Sequence, residues 1–147
     1  MATRYRFVRE MREVANDEYS RIWRKMRRLG ADPTLEMPRW FMPVEVGDGV
    51  HYLSIQASAG HYCSPRMTID KRLYESYEVA MMCRDASCEK GARFVTVGEF
   101  LPGVECDELV IKVDEYASGG NETIIYPNLP ADLVEQIYLK GCEIYGK

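Results

Sequence analysis

An α+β fold is what the sequence predicts: an N-terminal helix, a mainly antiparallel sheet of four to six strands, and a C-terminal helix. Three observations point to it. Val8, Met11, Ala15, Tyr19, Ile22, Met26 and Leu29 follow one another at steps of three or four, one stripe of a helix. From Val50 the apolar period changes to two. Past Asn128 the helical spacing returns with Leu133, Val134 and Ile137. Strands and helices do not alternate regularly, so an antiparallel sheet covered by helices is expected.

The elements follow in order within one domain, 1–147. Residues 1–30 form a basic helical segment, strongest over 17–29. Asn16 is its cap, Asp17 and Glu18 suit its positive end, and Gly30 closes it ahead of Pro33. Whether 5–15 extends this helix or begins a strand is open. Residues 31–49 are a connector broken by Pro33, Pro38, Pro43, Gly47 and Gly49, with Trp40, Phe41 and Met42 between two of the prolines. Residues 50–126 form the β-rich body. A strand over 50–57 places His51, Leu53, Ile55 and Ala57 on one face, and a strand over 75–82 places Tyr77, Val79 and Met81 together. Residues 84–92 read as a polar loop. Further strands are expected at 93–97, 108–114 and 123–126, the last after the turn Ser118-Gly119-Gly120-Asn121. The C-terminal helix is expected over 128–141, with Pro130 in its first turn and Gly141 at its end.

Composition limits the function classes. With 147 residues the chain can bury a core without disulfide or metal. Ten Tyr, four Phe and two Trp argue against disorder. No apolar run approaches the roughly 20 residues of a membrane span, and no signal-peptide core follows Met1. The five cysteines, without a secretion signal, are expected as free thiols in a reducing compartment. Charge is uneven: residues 1–29 hold nine basic against four acidic groups, a balance of +5, and the remainder carries −9. That acidity is too mild for a dedicated DNA mimic, and it disfavours direct nucleic-acid binding.

The richest stretch is His61-Tyr62-Cys63-Ser64-Pro65-Arg66, with a base, a phenol, a thiol, a hydroxyl and a cation in six residues. Three readings compete. His61 and Cys63 with Cys83 and Cys88 have the chemistry of a zinc site, but their spacing matches no common ligand pattern. Cys63 activated by His51 or His61 would be a nucleophile, but no glycine-rich oxyanion loop stands beside it. The structural reading is favoured: Tyr62 packs, Ser64-Pro65 ends a strand, and Arg66 pairs with a carboxylate. The paired acids Asp107-Glu108 and Asp114-Glu115 read as solvated strand ends. Phosphate-binding glycine loops and the deaminase zinc signature are both missing from the sequence. On the N-terminal helix, Arg21, Arg24, Lys25 and Arg28 lie off the apolar stripe. They face water as an anion-binding surface or dock on the protein's own acidic body.

The string Ser54-Ile55-Gln56-Ala57-Ser58, His61 to Arg66, and Tyr77-Glu78-Val79-Ala80, with Tyr126 to Ile137 at the end, resembles a set of small bacteriophage and prophage proteins. They share an S-x-Q-x-S-x-x-H-Y-x-x-P-R stretch, though the order Tyr77-Glu78-Val79 departs from theirs. The resemblance covers about residues 50–82 and 123–140 and brings no assigned activity. It implies a phage accessory protein of the host cytoplasm that binds a host protein or ribonucleoprotein complex without catalysis or cofactor. Anti-CRISPR inhibitors are one such class. The expected contacts are Arg21, Arg24, Lys25, Arg28, His61, Tyr62 and Arg66. A zinc- or thiol-dependent protein built on His61 and Cys63, and a homo-oligomeric phage component, are the alternatives.

Overall fold

Alternating side chains over 51–56 and 76–83 build the centre of the molecule. The computed structural model describes residues 5–14, 21, 24, 25, 28, 29, 38–84, 92–119 and 124–147. A helical turn α1 (Arg6–Glu10) precedes strands β1 (Val44–Glu45), β2 (His51–Gln56), β3 (Ser76–Cys83) and β4 (Arg93–Val95). Helices α2 (Val97–Phe100) and α3 (Asp107–Asp114) follow, then β5 (Tyr126–Pro130) and α4 (Ala131–Tyr145). The expected α+β architecture with a five-stranded antiparallel sheet is present.

The strand β3 is the spine. On one edge it pairs with β2 from Glu78 to Cys83. On the other edge β5 takes Ser76 to Val79 and β4 takes Met81 to Cys83, so two strands share that edge end to end. Beyond β1 the ladder is continued by a side chain. The Gln56 carboxamide accepts from Phe41 N–H at 2.8 Å and donates to Phe41 C=O at 2.8 Å, replacing a main-chain partner. Phe41 in turn bridges Glu13.

The face predicted from the period of two is buried: Leu53, Ile55, Tyr77, Val79 and Met81 form the core with Phe7, Val8, Phe100, Val134 and Ile137. A five-residue helix cannot stand alone. The α1 turn is held because the Glu135 carboxylate accepts from the N–H groups of Arg6 and Phe7, at 2.7 and 3.1 Å.

Several expectations are corrected. Residues 108–114 are the helix α3, not a strand: Leu109, Val110 and Val113 face inward at helical spacing, and Asp107 and Glu108 suit its first turn. The strand expected at 93–97 stops at Val95, because Thr96 and Glu99 form a reciprocal capping box that starts α2. The last strand is Tyr126–Pro130, later than 123–126. Gly141 lies inside α4, which runs on to Tyr145 and ends at Gly146 with φ +94°. A Cβ at Gly141 would lie 3.2 Å from Val46 and 3.3 Å from Phe100, so close packing, not termination, requires this glycine. Residues 11–14 are not helical, so α1 and the basic helical residues are separate pieces. Leu29, placed on the apolar stripe, is exposed. Asn16, Asp17, Gly30, Pro33, Cys88 and Asn121 lie outside the described residues.

Candidate functional site

The segment 57–76 leaves the end of β2, loops out and returns as β3. Such a loop carries polar main-chain groups that need partners. Arg39, itself buried, supplies them. Its guanidinium donates to Ile69 C=O at 2.7 Å, Ala57 C=O at 2.9 Å and the Tyr74 hydroxyl at 3.1 Å. It also covers the Phe41 ring. Tyr74 donates to Met67 C=O and accepts from Ile69 N–H, and Thr68 accepts from Ala59 N–H.

Inside this frame His61 is only 1% exposed. Its Nδ1 lies 2.7 Å from the Ser58 hydroxyl, which accepts from Gly60 N–H. The other nitrogen, Nε2, is buried and has no hydrogen-bond partner among the described residues. Burial first, then the nearby Arg39 and Arg66 cations, lower its pKa to about 4, so the ring is neutral at pH 7. Cys63 is also buried, and its thiol donates to Ser58 C=O at 3.3 Å. Burial pushes that thiol up, away from the thiolate. His61 therefore addresses Ser58 rather than Cys63. His51 sits opposite Cys83 at the other end of the sheet, whereas Cys63 lies next to Ser64, the bridge partner of Ser76. The pairing of Cys63 with His51 as nucleophile and base is overturned by this separation. The zinc set is divided in the same way: Ser76 and Cys83 are seven positions apart on one strand, about 23 Å at ~3.3 Å per residue. Among the described residues no three His, Cys, Asp or Glu side chains are grouped to hold a metal ion.

Outside the frame the same loop presents Tyr62, half exposed, with the Arg66 guanidinium stacked 4.6 Å from its ring centre. Trp40, also exposed, stands edge-to-face on His61 at 4.3 Å, and Met42 is exposed two residues on. His61 thus braces this surface from within and offers no contact of its own. The basic residues Arg21, Arg24, Lys25 and Arg28 all have helical backbone; Arg21, Lys25 and Arg28 are exposed and Arg24 is half-buried.

A second cluster was not legible in the sequence. The carboxylate of Asp48 accepts from the N–H groups of Val50 and His51 through Oδ1, at 2.9 and 2.8 Å. Its Oδ2 lies 2.5 Å from His51 Nδ1. The His51 ring is stacked on Tyr145 at 3.8 Å and 13°. Only the D-x-x-H spacing hinted at this pair; the register of β2 on β3, which brings Cys83 beside it, is a long-range property.

Comparison with known proteins finds no match to any protein-family model, any curated protein or any solved structure.

Proposed function

We propose that the chain is a non-catalytic protein-binding inhibitor of phage or mobile-element origin that blocks a bacterial defence complex by steric occlusion. The observation that carries this reading is the exposed trio of Tyr62 and Arg66, on a loop whose interior is fastened by Arg39 and His61, and Trp40, which packs on His61 from the segment before β1. Trp, Tyr and Arg are the residue types that dominate binding energy at protein interfaces, most of all when they are held rigid before contact. The exposed cations Arg21, Lys25 and Arg28 add a surface suited to an acidic partner. The phage origin and the host cytoplasm rest on the resemblance over about residues 50–82 and 123–140.

Affinity capture from a bacterial lysate tests the reading. The native chain is expected to retain a defined host complex. The double variants Tyr62→Ala/Arg66→Glu and Lys25→Glu/Arg28→Glu are expected to lose it with unchanged melting temperature, because these side chains face solvent. Equal capture by all three proteins, or capture of nothing by the native chain, refutes the proposal.

A further inference from the structure

The turn that carries His61 is held at every polar atom but one. Its N–H donates to Ser58 C=O at 3.2 Å, its C=O accepts from Cys63 N–H at 3.0 Å, and its Nδ1 meets the Ser58 hydroxyl. Gly60 lets this turn come close to the segment of Trp40: a Cβ there would lie 2.8 Å from Pro38 Cβ. Trp40 is fixed along its main chain as well. Its C=O accepts from Val14 N–H at 3.0 Å, and its neighbours Arg39 and Phe41 are tied to Ala57 and Gln56. What these bonds leave open is the rotation of the exposed indole.

The proton positions close that gap. The His61 ring is neutral at pH 7, so its two nitrogens share one proton, and the bond made by one decides the other. Ser58 Oγ already accepts from Gly60 N–H, and among the described residues its own proton has no acceptor besides His61 Nδ1. If Nδ1 carried the proton, two buried groups would be stranded, the Ser58 hydroxyl proton and the Nε2 lone pair. With the hydroxyl donating to Nδ1, the proton sits on Nε2 and only that N–H needs a receiver. Trp40 offers one. The two rings stand at 89° with centres 4.3 Å apart, closer than the ~4.5–7 Å of ordinary aromatic pairs. At that separation the imidazole, the smaller ring, is the one that can turn its edge to the other's face, which is the geometry of an N–H···π contact. We propose that Ser58, His61 and Trp40 form a proton-ordered relay: Ser58 donates to Nδ1, Nε2–H donates to the indole face, and His61 is thereby the positioning residue that sets Trp40. Its use in partner capture rests on the binding role proposed above. A preset indole loses less rotational freedom on contact than a free one, and so binds more tightly.

The test records long-range proton–nitrogen correlations by NMR on the isotope-labelled full chain at pH 7, with His51→Gln assigning the two histidines. His61 is expected to show a bare Nδ1 and a protonated Nε2, whose proton exchanges slowly with water and lies upfield in the ring current of Trp40. Trp40→Leu is expected to abolish the upfield shift. A protonated Nδ1, or an Nε2 proton whose position Trp40→Leu leaves unchanged, refutes the proposal. The positioning role is read from time-resolved fluorescence anisotropy of Trp40, with Trp23, the other tryptophan, replaced by Phe. The native indole is expected to turn only with the whole molecule, and free rotation there refutes the role. His61→Leu, which fills the site without a donor, is expected to add fast local rotation. His61→Gln, which returns an N–H near the place of Nε2, is expected to remove most of it. Equal rotation in the two variants reduces His61 to packing and likewise refutes the role. All of these signals come from the unbound chain, so failure of the binding role leaves them standing, and their absence leaves the binding role standing.

Discussion

His61 shows how one buried side chain makes stability depend on pH. Its ordinary pKa of 6.5 is lowered to about 4 in the folded chain. The folded state therefore takes up the proton less readily than the unfolded state. The stabilisation is complete above pH 6.5 and is lost as pH falls toward 4, by at most about 3 kcal/mol. Urea unfolding of the native chain between pH 7 and 4.5 should show that loss, and His61→Asn should remove most of the slope in this window. Arg39 belongs to the same circuit. Arg39→Met leaves the carbonyls of Ala57 and Ile69 without their donor and should lower stability by about 3 kcal/mol at pH 7. It also removes a cation beside His61, so the pH midpoint should rise in that variant. The sequence displayed His61 and Cys63 side by side and suggested partnership. Their true partners, Ser58 and its carbonyl, were in view, but nothing in the spacing gives the direction in which a buried loop turns its side chains.

Among elements, α4 carries the sharpest expectation. Alanine favours a helix interior over glycine by about 1 kcal/mol. Gly141→Ala should nonetheless destabilise, by about 1 kcal/mol net, because Val46 and Phe100 are themselves buried and cannot retreat from the new methyl group. A thermal melt decides the sign. The same residue explains why the helix runs past its expected end: glycine ends many helices, and only the approach of Val46, just after β1, and of Phe100 on α2 shows that this one is there for contact. β2 and β3 were legible because each buries one face, and alternation follows directly. α3 was not, because Val110, Ile111 and Val113 are good strand formers whose helical spacing shows only when Leu109 is counted with them. The capping box Thr96–Glu99 was readable from T-x-x-E and would have placed α2 correctly. Neither the Gln56 bridge to Phe41 nor the pairing of His51 with Cys83 is legible, since each depends on strand register between distant segments.

For the whole molecule, the sheet is organised around one strand. Five of the eight residues of β3 (Ser76, Val79, Met81, Met82 and Cys83) have a neighbour on both sides, with Ser64 and β2 along one edge and β5 and β4 along the other. Its inward side chains, Tyr77, Val79 and Met81, are also the centre of the core. Opening of one outer strand frees only part of such a segment. In deuterated water its amides should be the last to exchange, at a rate set by unfolding of the entire chain, while those of β1 and α1 exchange sooner. Hydrogen-exchange mass spectrometry would report this as a single slow peptide spanning Tyr77 to Met82. A molecule that stores its cooperativity in one internal segment can lose or exchange its rim without melting, which leaves the surface loops open to change by mutation while the frame beneath them persists.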